Sequence, residues 1–130
     1  MNNLIPGTVV STMVGPIGHF GIASDRQIGG LQCIISCSQA TGQVSEEPAN
    51  IFTNGKKIKI HAYPGALSPS VVINRARSKL GTAYNFLSWN CEHFIRWVHG
   101  IKVESPQLQI SALIGLGILG LFYLKQREHG

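Results

Sequence analysis

The stretch Asn90-Cys91-Glu92-His93-Phe94 decides how this chain is read. Asparagine is a strong helix N-cap, because its side-chain oxygen accepts the unpaired N–H groups of the first turn. After it, Cys91, Phe94 and Val98 recur at i, i+3 and i+7, which is one face of a helix. Gly100 stands where a C-terminal glycine belongs. Cys91 is therefore expected in the first turn of a helix over residues 91–99. The positive end of the helix dipole there favours a thiolate and is expected to lower the thiol pKa. The free N–H groups of the same turn offer a place for an oxyanion. A nucleophile of this kind still needs a base.

Upstream, two histidines compete for that role. His19 follows the Gly15-Pro16-Ile17-Gly18 punctuation and opens a strand pattern. His61 lies in residues 57–63, which alternate polar and apolar like a half-buried strand. On these grounds the two are equivalent, and each also reads as an ordinary hydrogen-bonded histidine. His93 is two residues from Cys91 and points to another side of the helix.

The rest of the chain supplies a sheet and a second helix. Residues 8–13, 19–23 and 31–37 read as short strands separated by Gly- and Pro-rich turns. Residues 38–50 are polar and read as a loop, and Ile51-Phe52 as a short strand. Ser68 with Pro69 after it is a helix start, Val71, Val72, Ala76 and Leu80 form its apolar stripe, and Gly81 ends it. The fold class is α+β, an antiparallel sheet with two helices.

Composition narrows the function. The 130 residues carry a net charge of +5, and only 13% are charged, against roughly 25% in a usual soluble domain. The basic residues (Lys56, Lys57, Lys59, Arg75, Arg77, Lys79, Arg96, Lys102) have no interleaved aromatic ladder and no nucleic-acid motif. They suit an anionic membrane surface, or simply a solvated face. Three cysteines do not make a disulfide scaffold, and Cys33 and Cys37, in an apolar run, read as packing residues. No Cys and His pairing has zinc-ligand spacing, so neither metal nor cofactor is expected. The N-terminus lacks the charged and apolar regions of a signal peptide.

Residues 108–124 contain no ionisable group except the phenol of Tyr123. Seventeen helical residues span about 25 Å, against a hydrocarbon core of roughly 30 Å. Lys125 and Arg127 behind the run can snorkel. Residues 1–105 are thus expected to form the domain and 106–130 a hydrophobic anchoring helix. The expected location is a membrane, with the domain on its cytosolic face.

Asn90-Cys91-Glu92-His93-Phe94 also resembles the signature box of the lecithin:retinol acyltransferase-like proteins. Gly18-His19-Phe20-Gly21-Ile22 resembles that family's histidine box, and Ile5-Pro6-Gly7-Thr8-Val9-Val10 its opening strand. Ala76, Leu80-Gly81 and Tyr84-Asn85 match the stretch before the cysteine box, so the likeness covers residues 4–100. It implies a permuted papain-like (NlpC-type) domain in which the histidine precedes the cysteine. Cys91 matches the family nucleophile and His19 the family base. Where animal enzymes carry a second histidine, this chain has Ser36, whose hydroxyl can accept a hydrogen bond from an imidazole. The implied activity is transfer of an acyl group from a glycerophospholipid to Cys91, and then to water or another acceptor. Two alternatives remain: an NlpC-type cysteine peptidase or amidase, and a membrane-tethered interaction module without turnover. The apolar tail favours lipid over peptide, and Ser36 in place of histidine favours the module.

Overall fold

A computed structural model describes residues 4–103, 105 and 106. β1 (Val9–Val14) and β2 (Ile17–Ile28) form a hairpin paired out to Val14 and Ile17. Its two-residue turn has Gly15 at φ 60°. Pro16 cannot take a positive φ, so the turn is of the II′ kind, whose twist matches that of the strands. β2 turns through Gly29-Gly30 into β3 (Leu31–Ser38), which pairs with β4 (Gln43–Pro48). α1 (Ala49–Thr53) follows, then β5 (Lys59–Ile60), α2 (Pro69–Ser78) and α3 (Cys91–Val98). The sheet is antiparallel with strand order β4-β3-β2-β1-β5.

Strand alternation gives the sheet two apolar faces. Val9, Ile22, Ile35 and Cys37 meet Val72, Ile73 and Ala76 of α2 and Phe94, Ile95 and Val98 of α3. Val10 and Ile34, on the other face, meet Ala49 and Phe52 of α1. Gly21 lies on this second face, where a Cβ would stand 2.5 Å from Ile34 and 3.1 Å from the Phe52 ring. Only glycine lets Phe52 lie this close to the sheet.

Several expectations are corrected. Residues 38–50 are not a loop: Gln43–Pro48 is a strand, because its polar Ser45, Glu46 and Glu47 pair along β3 and hide no apolar alternation for the sequence to show. Ile51-Phe52 is not a strand but the middle of α1, where Phe52 plugs the second face and Ile51 points outward. β2 runs on to Ile28, past the strand end expected at residue 23, through an irregularity between Ala23 and Gln27. Ser24 sits in it, accepts the Arg26 N–H (3.0 Å) and donates to Glu46. Arg77 of α2 clasps Glu46 (2.9 and 3.2 Å) and Asp25 (2.5 Å), tying helix to sheet. Residues 57–63 contribute only Lys59–Ile60 as a strand. Ser68 precedes Pro69 as expected but makes no side-chain cap. The hydrophobic helix expected beyond residue 106 lies outside the described residues. Among the described residues no helix is long and apolar enough to cross a membrane.

Candidate active site

α3 begins where the sequence places it. Asn90 Oδ1 accepts the N–H of Glu92 (2.9 Å) and of His93 (3.2 Å). His93 Nδ1 in return accepts the Asn90 N–H (3.0 Å), which completes a capping box with histidine in the place usually held by Glu or Gln. Asn90 Nδ2 donates to the Phe86 carbonyl (3.1 Å) and to Ser105 Oγ (3.1 Å), and Ser105 donates to the buried Glu92 carboxylate (2.8 Å). Every residue of the five-residue box thus has a structural task, ending with Phe94, which is fully buried.

Cys91 is the first residue of the helix and is 9% exposed. Its thiol faces the Gly18 carbonyl at 4.0 Å. The backbone N–H groups of Phe20, Glu92 and Cys91 itself favour its thiolate. The sulfur therefore rests against the edge of β2, beside the backbone on both sides of His19. The thiol pKa is nevertheless pushed up, not down: burial raises it most, the Glu92 carboxylate adds to this, and the N–H groups only partly offset them. The expected lowering at a helix start is overturned by desolvation. Cys37, fully buried on the same face, donates to the Trp89 carbonyl (3.4 Å). Burial, with Cys91 nearby, pushes it up to about 12.

His19 alternates with Phe20 along β2, so its ring lies on the α1 face and stacks on Phe52, centroids 4.8 Å apart. Burial holds its pKa below the ordinary 6.5, leaving a neutral imidazole at pH 7. Ser36 is buried and alternates with Ile35, which places it on the α1 face with Ile34. The structure brings Cys91 to the backbone at His19, and puts the His19 and Ser36 side chains on one face. It makes no hydrogen bond from the His19 ring to the thiol or to Ser36.

His61 lies on the opposite face, where its Nε2 pairs with Ser11 Oγ at 2.8 Å and its ring lies 5.5 Å from that of Phe20. It lines a cavity of about 630 Å³ whose walls include Val9, Phe20, Ala62, Pro64, Ile95 and Ile101. Gly18 and Glu92, which flank the Cys91 sulfur, also line it, as does Arg96. This lies within the range of roughly 300–1,000 Å³ found for small-molecule sites. Three contributors escaped the sequence: the Ser11 partner of His61, the Phe20 N–H and the Ser105 strut. Strand pairing and chain return create them, and no local pattern marks them.

The histidines predict the pH dependence of stability. Burial lowers the pKa of His19, His61, His93 and His99 below 6.5, helped at His61 by Lys59, and opposed at His93 by Glu92 and at His99 by the Gly7 carbonyl. Below pH 6.5 the unfolded chain then binds more protons than the folded one, so stability falls as pH falls. At Glu46 burial works the other way, but bonds from Arg77 and Ser24 outweigh it and hold the carboxyl below 4.5, so its loss follows at lower pH. A thermal melting series should be highest near pH 7.5, decline steadily from 6.5 to 4, and decline again above about pH 8.5, where the unfolded thiols ionise and the buried Cys33, Cys37 and Cys91 stay protonated. A melting temperature that rises on acidification below pH 6.5 would contradict this account.

A buried thiol at the start of a capped helix, laid against an antiparallel sheet and backed by an apolar cavity, defines an α+β domain with a helix-borne cysteine site. The chain belongs to the lecithin retinol acyltransferase family, whose model matches residues 7–102, or 96 of the 130. This is a family of acyltransferases and hydrolases. No curated protein matches the chain.

Proposed function

We propose that the protein is a membrane-associated thiol acyltransferase or phospholipase A that works through an acyl thioester on Cys91. The observation that carries this reading is the Cys91 sulfur at the first turn of α3, facing the Gly18 carbonyl of β2 at 4.0 Å and adjoining an apolar cavity that Gly18 and Glu92 line. His19, neutral at pH 7, takes the thiol proton after turning its ring from Phe52. The thiolate attacks the ester carbonyl carbon of a glycerophospholipid, forming the C–S bond and placing the electron pair on oxygen. N–H groups at the start of α3 stabilise that oxyanion. Collapse breaks the C–O bond, and His19 returns its proton to the departing lysophospholipid oxygen. Water or an acceptor alcohol or amine then takes the acyl group by the reverse sequence. Ser36, on the His19 face, is the third group in this reading. The cavity suits an acyl chain, and residues 108–124 hold the domain at the bilayer.

A second reading, an interaction module without turnover, draws on one observation: the raised thiol pKa together with a His19 ring stacked on Phe52. Incubation of the whole chain with phosphatidylcholine vesicles, followed by intact mass, separates the two. An added acyl mass, absent in Cys91→Ala and His19→Ala, is the expected result. A folded chain with no adduct and no released fatty acid would reject the lipid-directed reading.

A further inference from the structure

We infer that the tip of the β1–β2 hairpin, with the lysines laid beside it, is a docking surface for a bilayer containing anionic lipid. The inference rests on the lipid-directed reading above and adds where the domain meets the membrane and which headgroup charge it selects.

Exposure along β1 is confined to its end. Val9 to Thr12 are buried, whereas Met13, Val14 and Ile17 are 50%, 58% and 51% exposed. These three side chains stand around a turn held rigid by Pro16 and by pairing out to the last residue. An exposed apolar cluster on a fixed turn has little value in water and suits insertion at the headgroup level.

Lysines accompany it. Lys56 Nζ donates to the Met13 carbonyl (3.1 Å), Thr12 Oγ1 donates to the Lys57 carbonyl (3.1 Å), and Lys59 pairs with Ser11 across β1 and β5. Neither residues 1–24 nor residues 51–61 contain a single acid. The patch is therefore apolar at its tip, and the segments that build its flank carry lysines and no acid, which complements an anionic leaflet.

Its position fits the chemistry. Gly18, one residue beyond Ile17, is the group whose carbonyl faces the Cys91 thiol. A second apolar pair, Phe86 (51% exposed) and Leu87 (71%), stands on the loop that Asn90 Nδ2 ties to the start of α3. Asn85 and Trp89 close that loop by mutual backbone bonds of 2.8 and 2.9 Å. Two apolar loops thus lead into the segments that hold the thiol, while the other end of β2 carries exposed polar Asp25, Arg26 and Gln27.

The test uses the full chain in a Cys91→Ala background, where Cys33 and Cys37 are fully buried. An environment-sensitive fluorophore is placed on Val14→Cys, and on Gln27→Cys as the control. Vesicles are phosphatidylcholine alone or with one-third phosphatidylserine. A blue shift at position 14 but not at 27, with the serine lipid, is the expected result. Lys56→Glu, Lys57→Glu and Lys59→Glu together should weaken binding to the anionic vesicles at least tenfold and leave binding to phosphatidylcholine alone nearly unchanged. If vesicles capture the protein by flotation while the label at 14 stays in water, the docking surface is wrong and the lipid-directed reading stands. If neither vesicle captures it, both fall.

Discussion

Cys91→Ser is expected to lose turnover by a factor of about 10³ or more while melting within a degree or two of the native chain. Serine has nearly the size of cysteine and keeps the first position of α3, so the capping bonds from Asn90 and the burial of Phe94 are untouched. The difference is ionisation. Burial and Glu92 already push the Cys91 thiol up, and the three N–H groups offset this only in part. A hydroxyl in the same place starts from a far higher pKa and meets the same penalty, so the nucleophile population collapses. The effect should appear in acyl-adduct mass and fatty-acid release. On the proposed thioester mechanism the native chain should show acyl transfer that rises above neutral pH as the thiol ionises. Equal turnover by the serine variant would show that the sulfur is not the nucleophile.

The site was legible where it is local. Asn90, Cys91 and Phe94 sit as the cap and periodicity arguments place them, because those forces act within one turn. The hairpin turn at Gly15-Pro16 was legible for the same reason. What failed depends on partners distant in sequence. β4 is polar along most of its length and is recruited by pairing with β3, so no alternation announced it. α1 is short and is held by Phe52 reaching a surface that Gly21 leaves open. The thiol pKa went the wrong way because a helix start predicts stabilisation of charge, while burial against β2 depends on the sheet. The face carrying His61, Ser11 and the cavity was likewise hidden, since residues 50 apart in sequence meet only when β5 pairs with β1.

Asn90→Ala should be the most destabilising polar substitution in the domain, at about 2–4 kcal/mol. Loss of an N-cap alone costs about 1 kcal/mol. Here the same side chain also donates to the Phe86 carbonyl and to Ser105 Oγ, in a site where Glu92, His93 and Ser105 are all buried. Truncation leaves the Glu92 and His93 N–H groups without an acceptor and loosens the Ser105 contact to Glu92. Urea or thermal unfolding measures the loss. Asn90→Asp makes the argument sharper, because it keeps the acceptor for both N–H groups while removing the two donors. It should therefore recover part of the stability. It also adds a negative charge beside Cys91, in the same sense as Glu92, and should raise the thiol pKa further. The variant is then expected to be more stable than Asn90→Ala yet to alkylate with iodoacetamide more slowly than the native chain at pH 8. If Asn90→Asp instead reacts faster, the electrostatics assigned to the start of α3 are wrong, whatever the melting temperatures show.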